Sequence, residues 1–116
     1  MARLARAHLT TAESLRQLPA LPEEQYAIVF EHGTLEVGMY APRGSDPQTP
    51  HTRDEVYVVV RGRGTFVHGE SRRTFGPGDL LFVPAGATHR FEEFSDDLAV
   101  WVLFYGPEGG ERPTAG

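Results

Sequence analysis

Short apolar runs punctuated by glycine and proline constrain this chain more than any other feature. Its 13 glycines and 9 prolines do not gather in one tract but fall between the runs, and breakers so placed act as turns. The runs at 26–31 and 34–41 flank His32 and Gly33, a pair suited to a tight hairpin turn. A polar loop at 42–50 follows, and further runs lie at 56–60, 64–68, 72–75, 80–83, 88–91 and 98–105. That makes about eight strands at spacings near 8 to 12 residues, the pattern of an all-β sandwich or small barrel, with the jelly roll as the natural closed form.

One segment reads as helix. Thr10 or Thr11 offers an N-cap, residues 12–18 carry Leu15 and Leu18 three apart, and Pro19 ends the run. It is expected to be short and peripheral. On the strand at 34–41, Leu35, Val37 and Met39 share a face. The runs at 56–60 and 98–105 are apolar on both alternating faces, whereas a strand with one face in water alternates. Their outer face needs a cover, and a second copy of the chain is the simplest one. Residues 1–25 read as an arm bearing the helix, 26–105 as the barrel, and 106–116, with little to bury, as a flexible tail.

With 116 residues the chain holds one core. Eleven Lys and Arg against sixteen Asp and Glu leave a formal charge of −5, which disfavours binding nucleic acid by phosphate neutralisation. The longest apolar run, 98–105, is far short of the roughly 20 residues of a membrane helix. The first residues, with Arg3, Arg6 and His8, lack the apolar stretch of a secretion signal, so a cytoplasmic protein is expected. No cysteine is present, so disulfides, thiolate nucleophiles and Cys-ligated metal are excluded, and any metal must be held by nitrogen and oxygen.

Residues 78–89 run Gly-Asp-Leu-Leu-Phe-Val-Pro-Ala-Gly-Ala-Thr-His. This stretch resembles the second motif of the cupin family: Gly, five residues, Pro, one residue, Gly, two residues, His, three residues, Asn. Every fixed position through His89 is met, and Glu93 stands where Asn belongs. The family's first motif, His, one residue, His, three or four residues, Glu, six residues, Gly, is matched by His51, Glu55 and Gly62, with Thr49 at the place of the first histidine. The likeness is close over about residues 44–93.

The resemblance implies a small single-domain cupin, a double-stranded β-helix that is often dimeric. In metal-bound members those motif positions hold a divalent ion, which here implicates His51, Glu55 and His89, with Thr49 a doubtful fourth. Iron, manganese, zinc, nickel and copper all accept two imidazoles and a carboxylate. Geometry adds a condition. Residues four apart on a straight strand stand about 13 Å apart, so the chain must bend between His51 and Glu55, and Thr52, Arg53 and Asp54 are polar enough to do so. Tyr57 and Val59 share Glu55's parity and Phe91 shares that of His89, so with Thr49 they are candidate pocket lining. Phe66, Trp101 and Phe104 are expected in the core or an interface. Arg53 and Arg90 are candidates to meet an anionic substrate, Arg61 and Arg63 read as turn residues, and His8, His32 and His68 as tail or turn positions.

Three functions follow. The first is a small-molecule enzyme, oxygenase-like or isomerase-like, working through a two-histidine, one-carboxylate metal site. The second is a binding or sensing module without turnover, and the third a metal-free cupin that isomerises or epimerises a sugar-like ligand.

Overall fold

The computed structural model describes residues 8–19, 25–47 and 49–112. Among the described residues there are one helix, α1 (Thr11–Leu15), and eight strands: β1 (Tyr26–His32), β2 (Leu35–Tyr40), β3 (Asp54–Arg61), β4 (Gly64–His68), β5 (Ser71–Phe75), β6 (Leu80–Val83), β7 (His89–Glu92) and β8 (Ala99–Tyr105). Two antiparallel sheets form, a five-stranded one in the order β1-β2-β8-β3-β6 and a three-stranded one in the order β5-β4-β7. This is the all-β jelly-roll architecture expected from the spacing of the turns. The hairpin between β1 and β2 turns one residue later than expected, because His32 pairs with Leu35 and the turn falls on Gly33 and Thr34, with Gly33 at φ +59°.

Side chains alternate across β3. Glu55, Tyr57 and Val59 are buried between the sheets, while Val56, Val58 and Val60 are half-buried on the outside. The inner cluster joins Tyr57 and Val59 to Phe66, Phe75, Val83, Phe91, Val100 and Val102, so both sheets supply it.

The helix is shorter than expected and less peripheral. Thr10 Oγ1 accepts from the Glu13 N–H at 3.1 Å, and the Thr10 N–H donates to Glu13 Oε1 at 3.3 Å, closing a capping box. The helix ends at Leu15, and Leu15 and Leu18 pack on Met39, Ala41 and Ala99 with Val60 and Trp101. This second cluster lies on the outer face of the large sheet, so the chain itself covers part of the surface that seemed to need a partner. It also sets the facing of β2: Val37 and Met39, on the face they share, are buried on the outside of the sheet, and the opposite parity, Gly38 and Tyr40, looks inward.

The C-terminal segment makes hydrogen bonds of its own to the barrel. The Gly109 N–H donates to the Thr52 carbonyl at 2.6 Å and the Glu111 N–H to Asp54 Oδ2 at 2.8 Å. Residues 107–112 therefore lie against the start of β3, held by backbone N–H groups on a carbonyl and a carboxylate, which hydropathy does not register; residues 113–116 lie outside the described residues.

Glu93, the one departure from the second motif, has φ +50°. A side chain there is strained, and asparagine tolerates that region better than glutamate. Glu93→Asn is expected to stabilise the fold by about 0.5–1 kcal/mol, read as a thermal midpoint raised by a few degrees.

Candidate metal centre

His51, Glu55 and His89 arrive from three places. His51 precedes a bend at residues 52 and 53, Glu55 is the second residue of β3, and His89 opens β7 on the facing sheet. The bend is the one demanded by the spacing. It turns the chain enough to place His51 Nε2 at 2.7 Å from Glu55 Oε1. His89 Nε2 lies 3.2 Å from His51 Nε2 and 3.3 Å from Glu55 Oε1. Glu55 and His89 are each 2% exposed, and His51 is partly so.

The outer nitrogens decide the tautomers. His51 Nδ1 lies 3.1 Å from the Arg53 carbonyl and His89 Nδ1 3.0 Å from the Ala87 carbonyl. A carbonyl only accepts, so each Nδ1 carries a proton and donates, which makes Nε2 the nitrogen that each ring turns toward Glu55 and, once deprotonated, the one free to ligate. Two imidazole nitrogens this close to one another and to a buried carboxylate need positive charge between them, a proton in the metal-free fold or a cation in its place. The donor set and its orientation therefore fit a divalent ion, with the two carbonyls fixing the imidazoles as outer partners do in metal sites. Among the described residues, this is the group of His, Asp and Glu side chains whose ligand atoms all lie within 4.8 Å of one another.

Charge and packing act on the same groups. Burial opposes the charged form of His89, but its hydrogen bonds to Glu55 and to the Ala87 carbonyl, with the charges of Glu55 and Asp46, outweigh burial and raise its pKa above the usual histidine value. Phe104 meets the His51 ring edge to face at 4.8 Å between centroids, and Tyr57 stands 6.1 Å from the His89 ring.

A cavity of about 250 Å³ opens beside Glu55, lined by Tyr26, Tyr40, Glu55, Tyr57, Val102 and Phe104. Tyr26 Oη donates to Glu36 Oε2 at 3.2 Å, and Tyr40 Oη donates to Asp46 Oδ1. The other oxygen of Asp46 accepts from the Phe91 N–H at 2.8 Å. Burial first, and then these carboxylates, push both phenols well above the usual tyrosine range.

Of the lining residues expected from parity, Tyr57 faces this cavity, Val59 and Phe91 are buried in the core cluster, and Thr49 is exposed. Parity alone missed Tyr26, Tyr40, Val102 and Phe104. Cross-strand register explains them: Phe104 pairs with Glu55 and Val102 with both Tyr57 and Gly38, so all share the inner face. Arg53 sits at the cavity's edge, its guanidinium 5.8 Å from the Phe104 centroid and 3.6 Å from Glu36, while Arg90 is exposed and bonded to Glu92. Arg61 donates to the Asp97 carbonyl, and His8, His32 and His68 lie outside the cluster.

The family model of the cupin domain matches residues 36–105, and the chain belongs to the cupin family. It is 42% identical to an uncharacterised protein of Streptomyces coelicolor over 85 residues, 72% of this chain and 81% of that protein. It is also 42% identical over 65 residues to acireductone dioxygenase 1 of Pectobacterium atrosepticum, 51% of this chain but only 37% of that enzyme. The crystal structure of a cupin 2 conserved barrel domain protein from Salinispora arenicola superposes with a TM-score of 0.63 at 18% identity, covering 90% of this chain and 91% of that one, a likeness of fold. No helix among the described residues is long and apolar enough to cross a membrane.

Proposed function

We propose that His51 and His89, through Nε2, and Glu55, through its carboxylate, hold one divalent metal, and that the protein is a metal-dependent enzyme acting on a small organic molecule seated beside Glu55. The observation that carries this reading is the convergence of two imidazole Nε2 atoms and a buried carboxylate from three separate segments. A divalent ion with two histidines and one carboxylate keeps positions open and supplies Lewis-acid activation of a bound oxygen donor. The partial match to acireductone dioxygenase supports oxygenase-type chemistry over a sensing role. With Thr49 in place of the family's first histidine, three protein ligands serve instead of four.

The cavity restricts the substrate. Its volume of about 250 Å³ falls below the roughly 300–1,000 Å³ of drug-sized pockets, which favours a small molecule. Its aromatic walls suit the apolar part of a ligand. Both phenol protons, on Tyr26 and Tyr40, are already given to carboxylates, so those oxygens offer the ligand lone pairs and favour a hydroxyl or amine over a second carboxylate at that end.

Exchangeable coordination positions test the enzyme reading. Loaded with Mn(II) as a probe, the protein is expected to show the water-proton relaxation enhancement of at least one rapidly exchanging water, reduced when a small chelating hydroxy acid is added. A loaded protein with no exchangeable water would favour a closed, structural metal.

We also propose that a second copy covers the rest of the outer face. Phe82, Val56 and Leu103 stand in one cross-strand row and Leu80, Val58 and Trp101 in another, with Leu80 63% and Phe82 46% exposed on edge strand β6. Light scattering should give twice the 12.8 kDa chain mass, and Phe82→Glu should return it to one. A wild-type monomer at micromolar concentration would refute the dimer.

A further inference from the structure

Asp54 precedes a proposed metal ligand and has no place in the chemistry above, yet it is only 4% exposed. Its position on β3 has outer-face parity, where a carboxylate would ordinarily meet water. Two other segments cover it instead. Asp54 Oδ1 accepts from the Ala85 N–H at 2.9 Å, in the turn that leads to His89, and Oδ2 accepts from the Glu111 N–H at 2.8 Å, in the C-terminal segment. Two neighbouring bonds run in parallel: the Gly86 N–H donates to the His51 carbonyl at 2.7 Å and the Gly109 N–H to the Thr52 carbonyl at 2.6 Å. Gly110 packs so closely that a Cβ there would stand 2.9 Å from Asp54 Oδ1 and 3.1 Å from the Ala85 side chain. The three segments meet with no room for a side chain between them.

We propose that Asp54 and residues 107–111 form a latch that positions the metal ligands. Asp54 ties the turn before His89 to the start of β3, and the C-terminal segment closes over both and over the bend that carries His51. The latch acts through the ligands and touches neither metal nor substrate, so Asp54 is a positioning residue. The inference rests on the metal reading above. Its chemistry is specific to a carboxylate, because both partners are N–H donors: asparagine satisfies one and turns its own N–H₂ toward the other.

Co(II) absorption of the full chain, of Asp54→Asn and of a chain ending at Gly106 tests this. Circular dichroism selects the variants that stay folded. Both are expected to bind Co(II) about 10- to 100-fold more weakly, the usual cost of losing an outer-shell partner, with a changed visible spectrum because the ligands are no longer held in the same geometry. A merely structural role would lower the melting temperature and leave the spectrum of the loaded site unchanged. Should neither variant fold, amide exchange in the wild type decides. Binding and latching are reciprocal, so the Gly109 and Glu111 amides should exchange more slowly with metal than without. A folded variant with wild-type Co(II) affinity and spectrum, or equal exchange of those amides with and without metal, would overturn the latch. Wild-type protein that binds no Co(II) would instead overturn the metal reading.

Discussion

Gly62→Ala is expected to destabilise the fold by roughly 2–5 kcal/mol, the sum of left-handed backbone strain and overpacking. Gly62 sits at φ +89°, and a Cβ there would lie 2.6 Å from Leu98 Cα and 2.9 Å from Leu98 N. The obstacle is backbone, and it is fixed. Arg63 and Ser95 exchange hydrogen bonds beside it, and the Leu98 N–H donates to the Ser95 carbonyl. Such a loss removes a large share of the 5–15 kcal/mol that holds an ordinary domain together. Gly78 and Gly86, the glycines of the second motif, also have positive φ, at +89° and +81°, but nothing lies within 4 Å of a Cβ at either. Alanine there should cost only about 1–2 kcal/mol of backbone strain. Urea midpoints of the three variants check the ranking. Equal losses at all three would show that the contact with Leu98 carries no weight.

His89→Ala should weaken divalent metal binding by more than about 100-fold, beyond what outer-shell substitutions cost, while the chain stays folded. The wild type carries a pH signature of the same site. In the metal-free fold the His89 pKa is raised, so its stabilising contribution is complete below the unfolded imidazole value of about 6.5 and is lost as pH rises through the folded pKa. Metal needs the opposite protonation state of the same nitrogen, so its affinity rises with pH. Melting curves of metal-free and loaded protein should therefore separate as pH increases and approach one another in acid. His89→Ala should abolish the separation, and a variant that keeps it would place the metal elsewhere.

The strands and turns were legible because glycine and proline mark them, and the bend between His51 and Glu55 followed from reach alone. Facing was harder. Leu35, Val37 and Met39 shared a face in the sequence, but only the short helix, with Leu15 and Leu18 on Met39, shows that this face looks outward. Tyr40 and Gly38 then face the cavity, and Gly38 has no side chain because the Tyr26 ring would stand 2.6 Å from a Cβ there. Parity within a strand cannot supply that. It needs the register between strands, which brings Phe104 beside Glu55. The C-terminal segment was illegible for a different reason: it docks through backbone N–H groups on Thr52 and Asp54, and hydropathy has no term for these.

Metal content measures the central claim most directly. Protein produced without a chelating tag, stripped, offered Fe(II), Mn(II), Co(II), Ni(II), Cu(II) or Zn(II) in turn and then desalted, should retain one ion per chain for at least one of them. The same treatment of Glu55→Ala and His89→Ala should leave none. A wild-type chain that retains no ion, or a variant that still holds one per chain, would contradict the assignment of His51, Glu55 and His89 as the metal site.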